Sequence, residues 1–110
     1  MPYSWVIPLP PWAWTARSAA SQAASAAALY DAGDDLAAGE AANMAKYAAG
    51  EVAVRATDQA VQSLGGNGMT VEYGVASLVA AARATRIAPV SREMILNFVA
   101  QHSLGLPKSY

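Results

Sequence analysis

Apolar residues recur at helical intervals along most of this chain, and nowhere do they alternate as strands require. From about Leu36 to Leu64, the residues Met44, Ala48, Val52, Ala56 and Ala60 follow a spacing of four, which predicts one long helix. Asp34 and Asp35 stand where a helix start wants a capping and charged side chain. Gly39 and Gly50 weaken that helix by about 1 kcal/mol each relative to alanine, unless a neighbour needs the close approach. Before it, Ala26 to Tyr30 reads as the end of a helix closed by Asp31-Ala32-Gly33.

After it, Gln62-Ser63-Leu64-Gly65-Gly66-Asn67-Gly68 places a primary amide ahead of three glycines in four positions. The segment stops the helix, and its glycines would also let a flat polar group approach the backbone. Thr70 is placed to cap a third helix from about Val71 to Ile87, with Leu78 and Val79 as its bulky residues. Pro89 ends that helix, because a residue before proline is pushed out of the helical region. Ser91 caps a last helix from about Arg92 to Leu104, where Met94, Ile95, Phe98, Val99 and Leu104 form an apolar face. The pattern predicts an all-α chain with three good helices and part of a fourth.

The first stretch differs. Pro2, Pro8, Pro10 and Pro11 forbid a regular helix near the start, and Trp5, Trp12 and Trp14 hold all the tryptophan. Ser18 to Ala28 is a Ser/Ala tract, helical if anything. Residues 1–25 are therefore expected to be an irregular segment outside the domain, which occupies 26–110. Two readings fit such a start: an arm that packs on a partner, or sequence foreign to the domain through a mis-assigned start or shifted reading frame. Translating the upstream DNA in three frames separates them.

Composition narrows the chemistry. Of 110 residues, 55% are hydrophobic and only 14% charged, against about 25% in ordinary domains. Most of the apolar share is alanine, which favours helix but buries little surface. A thin core, leaning on other surfaces, is the expectation. Net charge is −1 with no basic stripe, which argues against nucleic acid. The absence of cysteine excludes disulfides and thiolate metal sites, and it suits a reducing cytoplasm. His102 is the single histidine, so a multi-histidine metal site within one chain is excluded; a position near a helix end suits its positive form. A signal peptide would need a basic n-region, and no lysine or arginine precedes Arg17, so none is expected; nor is a bilayer span, because the apolar stretch is short and broken by proline.

Taken together, Ala45-Lys46, Ala49, Glu51-Val52-Ala53, the Gln62-x-x-Gly65-Gly66-x-Gly68 element, Glu72-Tyr73 and Ala88-Pro89-Val90-Ser91 resemble the C-terminal helical domain of the acyl-CoA dehydrogenase family. The resemblance runs from near Ala27 to Tyr110. It implies an up-and-down helical bundle, incomplete here, that works with FAD in the α,β-dehydrogenation of acyl-CoA thioesters. In that chemistry a carboxylate removes the α-proton while a hydride leaves the β-carbon for the flavin. The resemblance further implies that Gln62 hydrogen-bonds the cofactor, that Gly65 and Gly66 let it approach, and that Ser91, Arg92 and Glu93 fall on a further flavin-contacting stretch. The partners implied are the acyl-CoA substrate of a complete enzyme, and either further copies of the chain or N-terminal domains.

The departures are as informative. The position at which many family members carry the catalytic glutamate is Pro89, which takes no proton, and no catalytic residue is assigned. Glu72 and Glu93 read better as acids at helix N-termini. Ala80-Ala81 replace an Arg-Asp pair common in the family. The alternative to an enzyme domain is a stand-alone helical oligomerisation module, with the Trp-rich arm as its docking element. Peripheral membrane binding through Trp5, Trp12 and Trp14 ranks below both, for want of basic charge.

Overall fold

A computed structural model describes residues 11–109, so the readings placed on Pro2, Trp5, Pro8 and Pro10 lie outside the described residues. Four α-helices follow one another: α1 (Pro11–Asp31), α2 (Asp35–Leu64), α3 (Val75–Thr85) and α4 (Arg92–His102). A short 3-10 helix, Gly65–Met69, joins α2 to the turn before α3. The described residues contain no strand.

The start of α1 corrects the expectation of an irregular segment through residue 25. Proline lacks an N–H and has a fixed φ, but the first turn of a helix needs neither that donor nor another φ. Pro11 therefore opens the helix instead of breaking it. The Ser/Ala tract carries α1 onward without interruption, and the helix lies along α2.

At its far end α1 closes with a Schellman turn. Gly33 sits at φ +83°, the Asp34 N–H donates to the Leu29 carbonyl at 3.0 Å, and the Gly33 N–H donates to that of Tyr30 at 3.0 Å. Asp34 then caps α2, its Oδ1 accepting from the Ala37 N–H at 3.1 Å. One residue thus ends one helix and begins the next, folding α1 back antiparallel on α2. Thr15 accordingly lies by Tyr47, Glu51, Val52 and Arg55, while Ala26 and Tyr30 lie by Asp35, Ala38 and Ala42.

α2, about 45 Å long at 1.5 Å per residue, is the spine. α3 and α4 both run antiparallel to it and follow one another along its length. Lys46 Nζ donates to the Thr85 carbonyl at the end of α3. Arg92, at the start of α4, reaches Glu51, and Ser103, just past its end, donates to Glu40. Gly50 is buried where α3 ends: a Cβ there would meet Arg86 Cγ and Thr85 Oγ1 at 3.5 Å, ordinary contact, so this glycine permits close approach without being obligatory.

α1 touches neither α3 nor α4, and α3 and α4 do not touch each other. The bundle is open, as its radius of gyration of 17.5 Å shows against about 13 Å for a compact domain of this length. Among the described residues the buried apolar ones are Ala19, Ala38, Ala41, Ala45, Ala82 and Ile95, of which Ile95 alone is a large side chain removed from solvent. The thin alanine core expected from composition is what the fold contains.

The start of α3 differs from the sequence pattern. α3 begins at Val75, because Gly74 adopts a left-handed φ of +70° ahead of it. Thr70 caps nothing in α3: its hydroxyl donates to the Asn67 carbonyl at 2.9 Å, closing the 3-10 turn. Glu72 therefore lies in the connecting turn and not in a helical first turn. Glu93 does lie in the first turn of α4, where its charge complements the dipole.

Candidate functional site

The glycine segment divides by role. Gly65, at φ +60°, turns the chain out of α2, and its N–H donates to the Gln62 carbonyl. Gly68 is buried under the last turn of α2, where a Cβ would lie 2.9 Å from both the Cα and the carbonyl oxygen of Val61. Backbone atoms cannot yield at that distance, so Gly68 is required by packing. Gly66 has no such reason: its φ is not positive and a Cβ would meet nothing within 4 Å.

Gln62, Gly65, Gly66 and Asn67 are all exposed, as is Met69, and the Gln62 side chain makes no hydrogen bond among the described residues. The end of α2 thus offers an unengaged amide beside open, Cβ-free backbone. That is a cradle a flat polar group can enter, and it fits a flavin cofactor at this edge.

Ser91 and Glu93 lie elsewhere. Ser91 caps α4, its Oγ accepting from the Met94 N–H at 3.3 Å. Glu93 is exposed, with its carboxylate 3.6 Å from Arg92 Nη1. Arg92 meets Glu51, eleven residues before Gln62 on α2, so the two sets of expected cofactor residues stand about 16 Å apart along the helix. A single small ligand cannot contact both; an extended one can. Pro89, where the resemblance puts the family glutamate, is exposed two residues before Ser91 and follows a cis peptide bond.

Beside Ser91 and Glu93 lies a cluster that the sequence pattern did not reveal. Glu51 Oε1 sits 2.8 Å from Arg86 Nη2 and 2.9 Å from Arg92 Nε. One carboxylate oxygen thereby ties α2 to the turn after α3 and to the first residue of α4. The approach is by charge more than by alignment: Glu51 Oε1, Arg86 Nε and Arg92 Nε are buried without a well-directed hydrogen bond. The Arg92 guanidinium also lies 5.7 Å from the centre of the Tyr47 ring. Its hydrogen bond with Tyr47, followed by the charge of Glu51, raises the Arg92 pKa above its ordinary value, so it stays cationic wherever the chain is folded. Glu51 and Arg92 each stood out in the sequence, but for other reasons; the two arginines that Glu51 meets lie more than thirty residues from it, beyond any local signal. His102 closes α4 as its position suggests, with Nδ1 3.0 Å from the Phe98 carbonyl and its ring stacked on Phe98 at 4.2 Å.

No group of three His, Cys, Asp or Glu among the described residues is arranged to hold a metal. No helix among them is long and apolar enough to cross a membrane.

A family model described as "Acyl-CoA dehydrogenase, C-terminal domain" matches residues 11–104, taking in the whole of α1. The chain is 72% identical over 85 residues to the acyl-CoA dehydrogenase FadE12 of Mycobacterium tuberculosis, and to the protein of that name from Mycobacterium bovis. The aligned stretch covers 77% of this chain and 22% of those relatives, so it spans roughly a fifth of their length. No solved structure matches the chain significantly. An all-helical chain with the Gln62 to Gly68 edge at the end of its longest helix, matched over nearly all its described residues, belongs to the acyl-CoA dehydrogenase family and carries that family's C-terminal helical domain.

Proposed function

We propose that this chain supplies one flavin-facing edge of a cytoplasmic, FAD-dependent dehydrogenase acting on acyl-CoA thioesters. The observation that carries the reading is Gly66, a glycine with no internal reason to be one, next to the free amide of Gln62. When bound, the flavin accepts the hydride that leaves the β-carbon of the thioester. Gln62 binds and orients the cofactor through its amide. Gly65 and Gly66 keep Cβ atoms out of its way, and Ser91 and Glu93 contact a more distant part of the same extended molecule. Pro89 holds no proton, so the part this chain plays is binding and positioning.

Titrating the purified chain with FAD tests the reading. Flavin fluorescence should respond weakly, the cofactor should be lost on gel filtration, and both Gln62→Ala and Gly66→Ala should abolish the response with unchanged helicity. A response indifferent to both variants would sink the proposed edge. A retained flavin band with thioester oxidation would sink the view that this chain only positions.

A second reading, an oligomerisation module without catalytic activity, draws on the surface. Fifteen large apolar side chains among the described residues are exposed, Val71 at 91% and Leu36 at 70% among them. Sedimentation over a range of concentrations separates the two: a discrete, stable oligomer of the chain alone favours the module, and a monomer or an indefinite aggregate favours the enzyme domain.

A further inference from the structure

We propose that the cavity between the end of α3 and the start of α4 binds a phosphoryl anion, with Arg83, Arg86 and Arg92 as its guanidinium ligands. The cavity is open to solvent, has a volume of about 280 Å³, and is lined by those three arginines with Ile87 and Glu93.

Positive charges and donors around the cavity outnumber the acids that face them. Three guanidiniums carry fifteen N–H donors and three positive charges. Against them stand two carboxylates. Glu51 gives one oxygen to both Arg86 and Arg92, and the Nε atoms of those two residues are buried without an aligned acceptor. Glu93 is the weaker opponent, with its side chain 73% exposed and 3.6 Å from Arg92 Nη1. Arg83, exposed in the last turn of α3, pairs with no acid among the described residues.

One positive charge and most of the donors are therefore left over around a space large enough for a phosphate and part of what carries it. Phosphoryl oxygens match the planar fork of arginine and accept several such bonds at once. Glu51 holds two of the forks in place beforehand, which lowers the cost of ordering them on binding. This site shares Arg92 and Glu93 with the proposed flavin contacts and rests on that reading there; Arg83 and Arg86 belong to no expected cofactor contact, and the free amide of Gln62 is about 16 Å away along α2, so Arg83→Gln tests this site and Gln62→Ala the other.

Calorimetric titration of the chain with inorganic diphosphate at low salt provides the test. One saturable site is expected, weakened about tenfold by Arg83→Gln through loss of a charge-assisted bond, and tightened by Glu93→Gln. Arg55→Gln removes another exposed arginine, on the α1 side of α2, and should change nothing. If Arg83→Gln loses helicity, the gain from Glu93→Gln decides instead. Displacement of diphosphate by ADP or by coenzyme A supports the site and identifies its source as a nucleotide diphosphate or a thioester carrier. No saturable heat, equal weakening by Arg55→Gln and Arg83→Gln, or displacement by neither compound, meaning an adventitious ion only, overturns the proposal.

Discussion

Gly68 and Val61 are packed so closely that the smallest possible side chain on Gly68 would press into the backbone of Val61 from 2.9 Å. Gly68→Ala should therefore destabilise the chain by about 1–3 kcal/mol, the range for forcing a methyl group into a filled site. Gly66→Ala, two positions away in open space, should be neutral or stabilising by up to ~1 kcal/mol through the unfolded chain. Urea denaturation of the pair gives the comparison; equal costs would show that the turn, and not the Val61 contact, sets the demand for glycine.

Glu51→Gln should cost about 1–2 kcal/mol. The substitution leaves Arg86 with no acid, and their side chains are only 21% and 16% exposed, so water screens the pair incompletely. The loss should shrink in Arg86→Gln background, and that coupling in a double-mutant cycle is the check. Additive effects would mean the contact is incidental.

Ile95→Ala should be the most damaging single truncation in the chain. Ile95 is 2% exposed and is the only large side chain among the described residues to be wholly buried. Loss of its contacts costs about 3 kcal/mol in ordinary cores. Here few other contacts remain, so thermal unfolding followed by circular dichroism should lose its cooperative transition. A sharp transition lowered by only a few degrees would show that the alanine contacts hold more than their area suggests.

The two side-chain caps should behave alike although one is also proposed to face a cofactor. Asp34→Ala and Ser91→Ala each remove an acceptor from a helix start, Ala37 N–H in one case and Met94 N–H in the other. Each should cost about 1 kcal/mol by denaturant titration. Only Ser91→Ala should also weaken the flavin response.

What could be read from the sequence was whatever depends on near neighbours. Asp34, Gly33 and Ser91 act within three or four residues of themselves, and the helix starts and stops they mark lie where the pattern put them. Pro89 likewise separates α3 from α4. Pro11 misled because a proline is a breaker or an opener according to its place in the turn, and alanine-serine sequence carries little periodic signal to fix that place. Gly74 gives no such signal, because nothing about a lone glycine says that its φ will be positive. The junction of Tyr47, Glu51, Arg86 and Arg92 was illegible for a different reason. Its members meet only after the helices have docked, so no spacing along the chain announces it.

α1 makes no contact with α3 or α4, and those two meet only through the turn between them, so every path from α1 to either runs through α2. Such a layout behaves as a set of independent attachments to one rod, and loosening one attachment places no load on the others. α1 can therefore fray or detach, at a cost set by its own seam, while Glu51 still holds Arg86 and Arg92 in register. The strength of the whole is governed by the continuity of α2, whose 30 residues contain two glycines, Gly39 and Gly50. Hydrogen exchange should find its slowest amides in that rod and three separate opening rates beside it.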